Sequence, residues 1–131
     1  MAMGLPPIRT DIEEAKRDLD EFGLTRMQGA IDEATLNEAG ARLDAQAAGE
    51  IARGCAFTDT GDQVNNERDG ANQRIWNLIN KGEVFRRMVM NETLQALARH
   101  LLGEDLLLFS ATANIAKKGG KAQPLHGDQL F

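Results

Sequence analysis

Cysteine is nearly missing from this chain: Cys55 stands alone among 131 residues. A single thiol excludes an internal disulfide framework and fits a reducing compartment. A buried or incidental cysteine is a plainer reading of it than a reactive one. Long apolar runs are missing too. The longest, Leu106 to Phe109, falls far short of the roughly 20 residues that cross a bilayer. Met1 to Pro7 has no cationic stretch followed by an apolar core, so no secretory signal is read there. Cytoplasmic residence is the expectation. A basic stripe is also lacking. The formal net charge is −5, and Arg86-Arg87 and Lys117-Lys118 are short pairs amid acids, which argues against a nucleic-acid groove. There is no internal repeat, no low-complexity tract, and only two histidines, His100 and His126.

What is present is an ordinary globular composition, with 42% apolar and 27% charged residues. A chain of this length is expected to be one domain, residues 1–131, able to bury about two-thirds of its unfolded surface. Thr10 with Glu13 reads as a capping box for a helix carrying Ile12, Ala15, Leu19 and Phe22, ended by Gly23 in the left-handed conformation. Leu24 to Gln28 reads as a short strand. Asp32 caps a second helix whose apolar stripe is Leu36, Leu43, Ala47 and Ile51. From Cys55 to Gln73 the chain is rich in Thr, Asp, Asn and Gly and reads as a long loop, a candidate lid or binding loop.

Arg74 to Ile79 returns to an apolar pattern, with Trp76 expected as a core anchor rather than a stacking platform. Val84, Phe85, Met88 and Val89 suggest a short helix. Asn91 caps another, which carries Leu94, Leu97, Ala98 and Leu101 to Gly103 and places His100 near its C-terminal end. With helices dominating the first hundred residues and strands the remainder, the pattern indicates an α+β fold.

Leu106 to Ala116 carries the strongest strand pattern. Leu107, Phe109, Ala111, Ala113 and Ile115 share one face, and the other face turns polar with Ser110, Thr112 and Asn114. Lys117 to Lys121, with its Gly-Gly pair, is a turn signal, so Ala122 to Phe131 is expected to return antiparallel. On that return lie His126 and Asp128. Residues two apart on a strand project from one face, so an imidazole and a carboxylate can meet one ion. These are two of the three ligands of a facial triad for Fe(II). Register decides whether they share a face with Thr112 and Asn114, since a slip of one residue reverses the sides.

The run from Leu102 to Gln129, with Leu101-Leu102-Gly103, a strand, a Gly-rich turn and Gln123-Pro124-Leu125-His126-Gly127-Asp128-Gln129, resembles the phytanoyl-CoA dioxygenase family of Fe(II)- and 2-oxoglutarate-dependent oxygenases. The Phe22-Gly23-Leu24 helix end and the helix from Asp32 to Ile51 match it in a more generic way. The resemblance implies N-terminal helices packed on an incomplete double-stranded β-helix, a cupin-like jelly roll. It implies His126 and Asp128 as iron ligands, Asn114 and then Thr112 as contacts to the co-substrate, and Fe(II) and 2-oxoglutarate as cofactors. The reaction implied is hydroxylation of a small molecule by O2, and a carboxylate at the second ligand position argues against halogenation.

In that family a distal histidine completes the triad, and a basic residue soon after it holds 2-oxoglutarate; neither follows Asp128 here. A jelly roll needs about eight strands and this chain supplies about four. The expectation is therefore the N-terminal portion of a longer oxygenase domain, inactive alone, which needs the remaining half or a partner chain. The alternative is a non-enzymatic interaction module or a degenerate fragment.

Overall fold

The computed structural model describes residues 4–59 and 70–122, and its contacts divide the chain into two compact units. One comprises Met1–Gly40 with Gly82–Phe109, the other Ala41–Lys81 with Ser110–Phe131.

The first unit opens with β1 (Ile8–Arg9), α1 (Ile12–Phe22) and β2 (Arg26–Met27). β1 and β2 pair in parallel, Ile8 opposite Arg26 and Arg9 opposite Met27. The helix cap is Asp11, one residue later than the capping box predicts, because the Asp11 carboxylate accepts the Glu14 amide at 2.9 Å. Gly23 ends α1 with φ 71°, where a side chain would be strained. Ala15 is fully buried. On the same helix Asp18, also buried, receives both Nε and Nη2 of Arg9 at 2.8 Å. That two-pronged hydrogen bond, reinforced by the charge, holds the Asp18 carboxyl below the usual carboxylate range.

α2 (Glu33–Ala52) starts where Asp32 accepts both the amide and the hydroxyl of Thr35 at 2.8 Å. Those bonds lower the Asp32 pKa as well. α3 (Glu83–Val89) buries Val84 and Phe85. α4 (Glu92–Leu102) is capped by Asn91, which accepts from the Leu94 amide and donates its own amide to the Ala30 carbonyl. α4 packs against α1, where His100 Nε2 meets Asp20 Oδ1 at 2.8 Å.

The second unit holds the rest of α2 and an antiparallel sheet ordered β3 (Phe57–Asp59), β4 (Asn72–Ile75), β5 (Ala113–Ile115), with a 3-10 turn at Leu78–Asn80. Its buried residues are Ala47, Ile75 and three polar ones, Gln46, Glu50 and Gln73. The buried positions of α2 are Ala39, Gln46, Ala47 and Glu50; of the predicted stripe Ala47 is buried, Leu43 is partly covered, and Leu36 and Ile51 are half exposed. Polar side chains take the inner positions because each finds a partner there. Arg42 donates to Gln46, Gln46 to Glu50, and Gln73 to the Ala47 carbonyl at 3.1 Å.

The α+β class holds. The two sheets are small, and among the described residues no barrel closes. The Leu106 to Ala116 strand is corrected to Ala113–Ile115. Leu106 to Thr112 joins no ladder, and Leu107 and Phe109 are 91% and 89% exposed rather than inward. The partner of β5 is β4, a strand that begins in what reads as the long loop. The expected antiparallel return, Ala122 to Phe131, lies beyond Ala122 outside the described residues, as does the interior of the loop, 60–69.

Candidate functional site

β4 reads Asn72-Gln73-Arg74-Ile75, followed by Trp76, a period-two alternation that sends Gln73 and Ile75 inward. Register carries this across the sheet. Gln73 lies opposite Ile115 and Ile75 opposite Ala113 on the packed face, so Arg74 lies opposite Asn114 on the other. Phe57 of β3 is opposite Arg74 in turn. A row of Phe57, Arg74 and Asn114 therefore crosses the three strands on one face. Thr112 stands just before the strand, and both it and Asn114 are exposed.

The aromatic end of this row is ordered by ring contacts. The Arg74 guanidinium stands 5.2 Å from the Trp76 ring centroid, and Trp76 meets Phe57 edge to face at 6.0 Å. Trp76 is 46% exposed, so it is a wall of the surface rather than the core anchor expected of it. The polar end is fixed by Asn72. Its Oδ1 accepts the Lys117 amide at 3.2 Å and its Nδ2 donates to the Lys121 carbonyl at 3.0 Å, clasping the turn that follows β5. That turn is tight: Gly119 has φ 92°, and a Cβ built at Gly120 would collide with the Asn72 side chain.

Of the residues singled out in the sequence, Asn114 thus lies on the exposed sheet face, and Thr112 is exposed just before the strand. His126 and Asp128 lie outside the described residues. Among the described residues, no group of three His, Cys, Asp or Glu side chains is placed to hold a metal ion. No helix there is long and apolar enough to cross a membrane. Sequence reasoning missed Arg74 as the neighbour of Asn114. The signal was the alternation from Asn72 to Trp76, obscured by the polar residues before it.

No protein-family model matches the chain, and no solved structure matches it. Among curated proteins, the chain is similar to one described as dioxygenase af480, from Aspergillus fumigatus. The two are 33% identical over 120 residues, a match that covers 91% of this chain. The chain spans 37% of that relative's length.

Proposed function

We infer that this chain is part of a dioxygenase, and more finely of an Fe(II)- and 2-oxoglutarate-dependent hydroxylase of the phytanoyl-CoA dioxygenase type. The similarity to a protein described as a dioxygenase, along 91% of this chain, carries the reading. The chemistry of the donor pair fits it: His126 offers an imidazole nitrogen and Asp128 a hard carboxylate, the ligand types Fe(II) takes in a facial triad. Bound with 2-oxoglutarate and O2, iron of this kind supplies oxidation of a C–H bond.

The part played by this chain's own residues is binding and orientation. His126 and Asp128 would hold the metal. Asn114, and after it Thr112, would present hydrogen-bonding groups to 2-oxoglutarate. Support for that face comes from Arg74, which register places across the ladder from Asn114 and which adds a positive charge to the face, its guanidinium standing over Trp76. On this reading a second histidine and a basic residue come from a further segment or a partner chain, and the jelly roll is completed there. Cytoplasmic residence and a small-molecule substrate belong to the same proposal.

The test is an anaerobic Co(II) or Fe(II) titration of the wild-type chain and His126→Ala. Wild type is expected to bind weakly, and the variant to lose at least tenfold in affinity, as removal of a ligand should. Equal affinities would sink the site. The alternative, a non-enzymatic interaction module, draws support from the exposure of Leu107 and Phe109.

A further inference from the structure

One cleft of about 260 Å³ lies wholly within the second unit, bounded by the end of α2, β3, β4 and the turn after it. Its charge is lopsided. Arg53, Arg74 and Lys81 line it, against the single carboxylate of Glu50. That carboxylate is already engaged: it is buried, accepts from Gln46 at 2.8 Å and pairs with Lys81 at 3.4 Å. Arg74 is turned over the Trp76 ring.

Arg53 is left. Its guanidinium lies beside Gly49, where an added Cβ would stand 3.5 Å from Nη2, and among the described residues it makes no side-chain hydrogen bond or ion pair. Next to Trp76, the rim carries Asn77, the one non-glycine residue with positive φ (55°) among those described. Its side-chain amide has no hydrogen-bond partner among the described residues. Asparagine takes this conformation more readily than most side chains, and here it turns the backbone at the cleft's rim. The remaining wall is aromatic: Phe57 and Trp76 meet edge to face and both line the cleft, with Trp76 46% exposed beside Arg74.

We propose that this cleft binds a small organic carboxylate with an apolar body, the Arg53 guanidinium taking the carboxylate, the Asn77 amide a neighbouring oxygen, and Phe57 with Trp76 the hydrocarbon. That the bound acid is the substrate rests on the oxygenase reading; the binding itself does not. A planar fork matches a carboxylate in a way that a point charge does not. Two aromatic side chains at its side select a body with few polar atoms over a short dicarboxylate.

The chain's single tryptophan lines the cleft, so its fluorescence reports on occupancy. The purified chain is titrated, without metal, with 3-phenylpropionate, with the neutral 3-phenylpropanol and with 2-oxoglutarate. A saturable change with the phenylpropionate, and none with the alcohol over the same range, is expected. Arg53→Gln should weaken binding roughly ten- to hundredfold, the loss typical of a charge-assisted hydrogen bond. Asn77→Gly keeps the left-handed backbone while removing the amide, and should weaken it about threefold with unchanged circular dichroism. Equal response to acid and alcohol, or an Arg53→Gln variant that binds like wild type, overturns the proposal. So does a response to 2-oxoglutarate alone, which would make this the co-substrate's pocket. Since no metal is present, such a failure leaves the His126 titration untouched, and failure of that titration leaves the cleft standing as a carboxylate site.

Discussion

Ala15, Val84 and Phe85 fill the interior of the first unit, whereas Gln46, Glu50 and Gln73 are among the buried residues of the second. The first is closed by helix caps and by an ion pair, partly exposed Arg9 with buried Asp18. The second is closed by a chain of side-chain hydrogen bonds, from Arg42 through Gln46 to Glu50 and on to Lys81, with Gln73 bridging the Ala47 carbonyl and Lys117. An apolar interior tolerates repacking, but a satisfied polar network accepts few arrangements and so specifies one geometry. The unit that carries the sheet face and the cleft is the one with the polar interior.

Three experiments break or sharpen this contrast. The largest effect is expected from Phe85→Ala, which removes a buried ring in the first unit and should cost about 3–5 kcal/mol in urea denaturation. Gln73→Leu in the second unit keeps the volume but gives up the bonds to Ala47 and Lys117. It should cost about 2 kcal/mol, the net worth of two typical hydrogen bonds. If it costs as much as Phe85→Ala, the second interior depends on its polar network far more than single bonds suggest. If it costs nothing, the network is ornamental and the contrast fails.

The smallest effect is expected on acidification. Arg9 holds the Asp18 carboxyl below its ordinary value, so the unfolded chain takes up protons before the folded one does. The pair's contribution is complete above the ordinary carboxylate pKa of about 4 and is lost as pH falls through the depressed value. Arg9 is partly solvent-exposed, which screens the pair. Thermal unfolding followed from pH 6 downward should therefore fall more steeply below about pH 4 for wild type than for Asp18→Asn. Parallel curves would mean that the first unit does not lean on its ion pair.

Much of the first unit was legible in the sequence, because helix ends announce themselves locally. Gly23, Asp32, Asn91 and Gly103 sit where their cap chemistry predicts. Capping is a matter of three or four neighbouring residues, so the one slip, Asp11 for Thr10, was a single residue. The second unit was harder. Gln46 and Glu50 look like solvated residues until their partners are known, so the apolar residues of α2 drew a stripe of which Ala47 alone is buried. β4 hid within a polar stretch, and β5 was drawn too long, because an alternating pattern states which residues could face inward but not whether a neighbouring strand exists to pair with them. Asn114 and Thr112 were singled out through the family resemblance, on a face that the alternation shows to be polar. Arg74 became visible only once register placed it across the ladder.

The clasp between Asn72 and the Lys117–Lys121 turn has a consequence for how the chain is wired. Two stretches some 45 positions apart in the sequence are tied at one amide side chain, which both accepts and donates. Gly120 is pressed against that amide so closely that it admits no Cβ without a shift. The point where the backbone leaves the sheet after β5 is thus set by a residue on another strand. Asn72 and Gly120 behave as lock and keyhole, so that a change in either is inherited by the other.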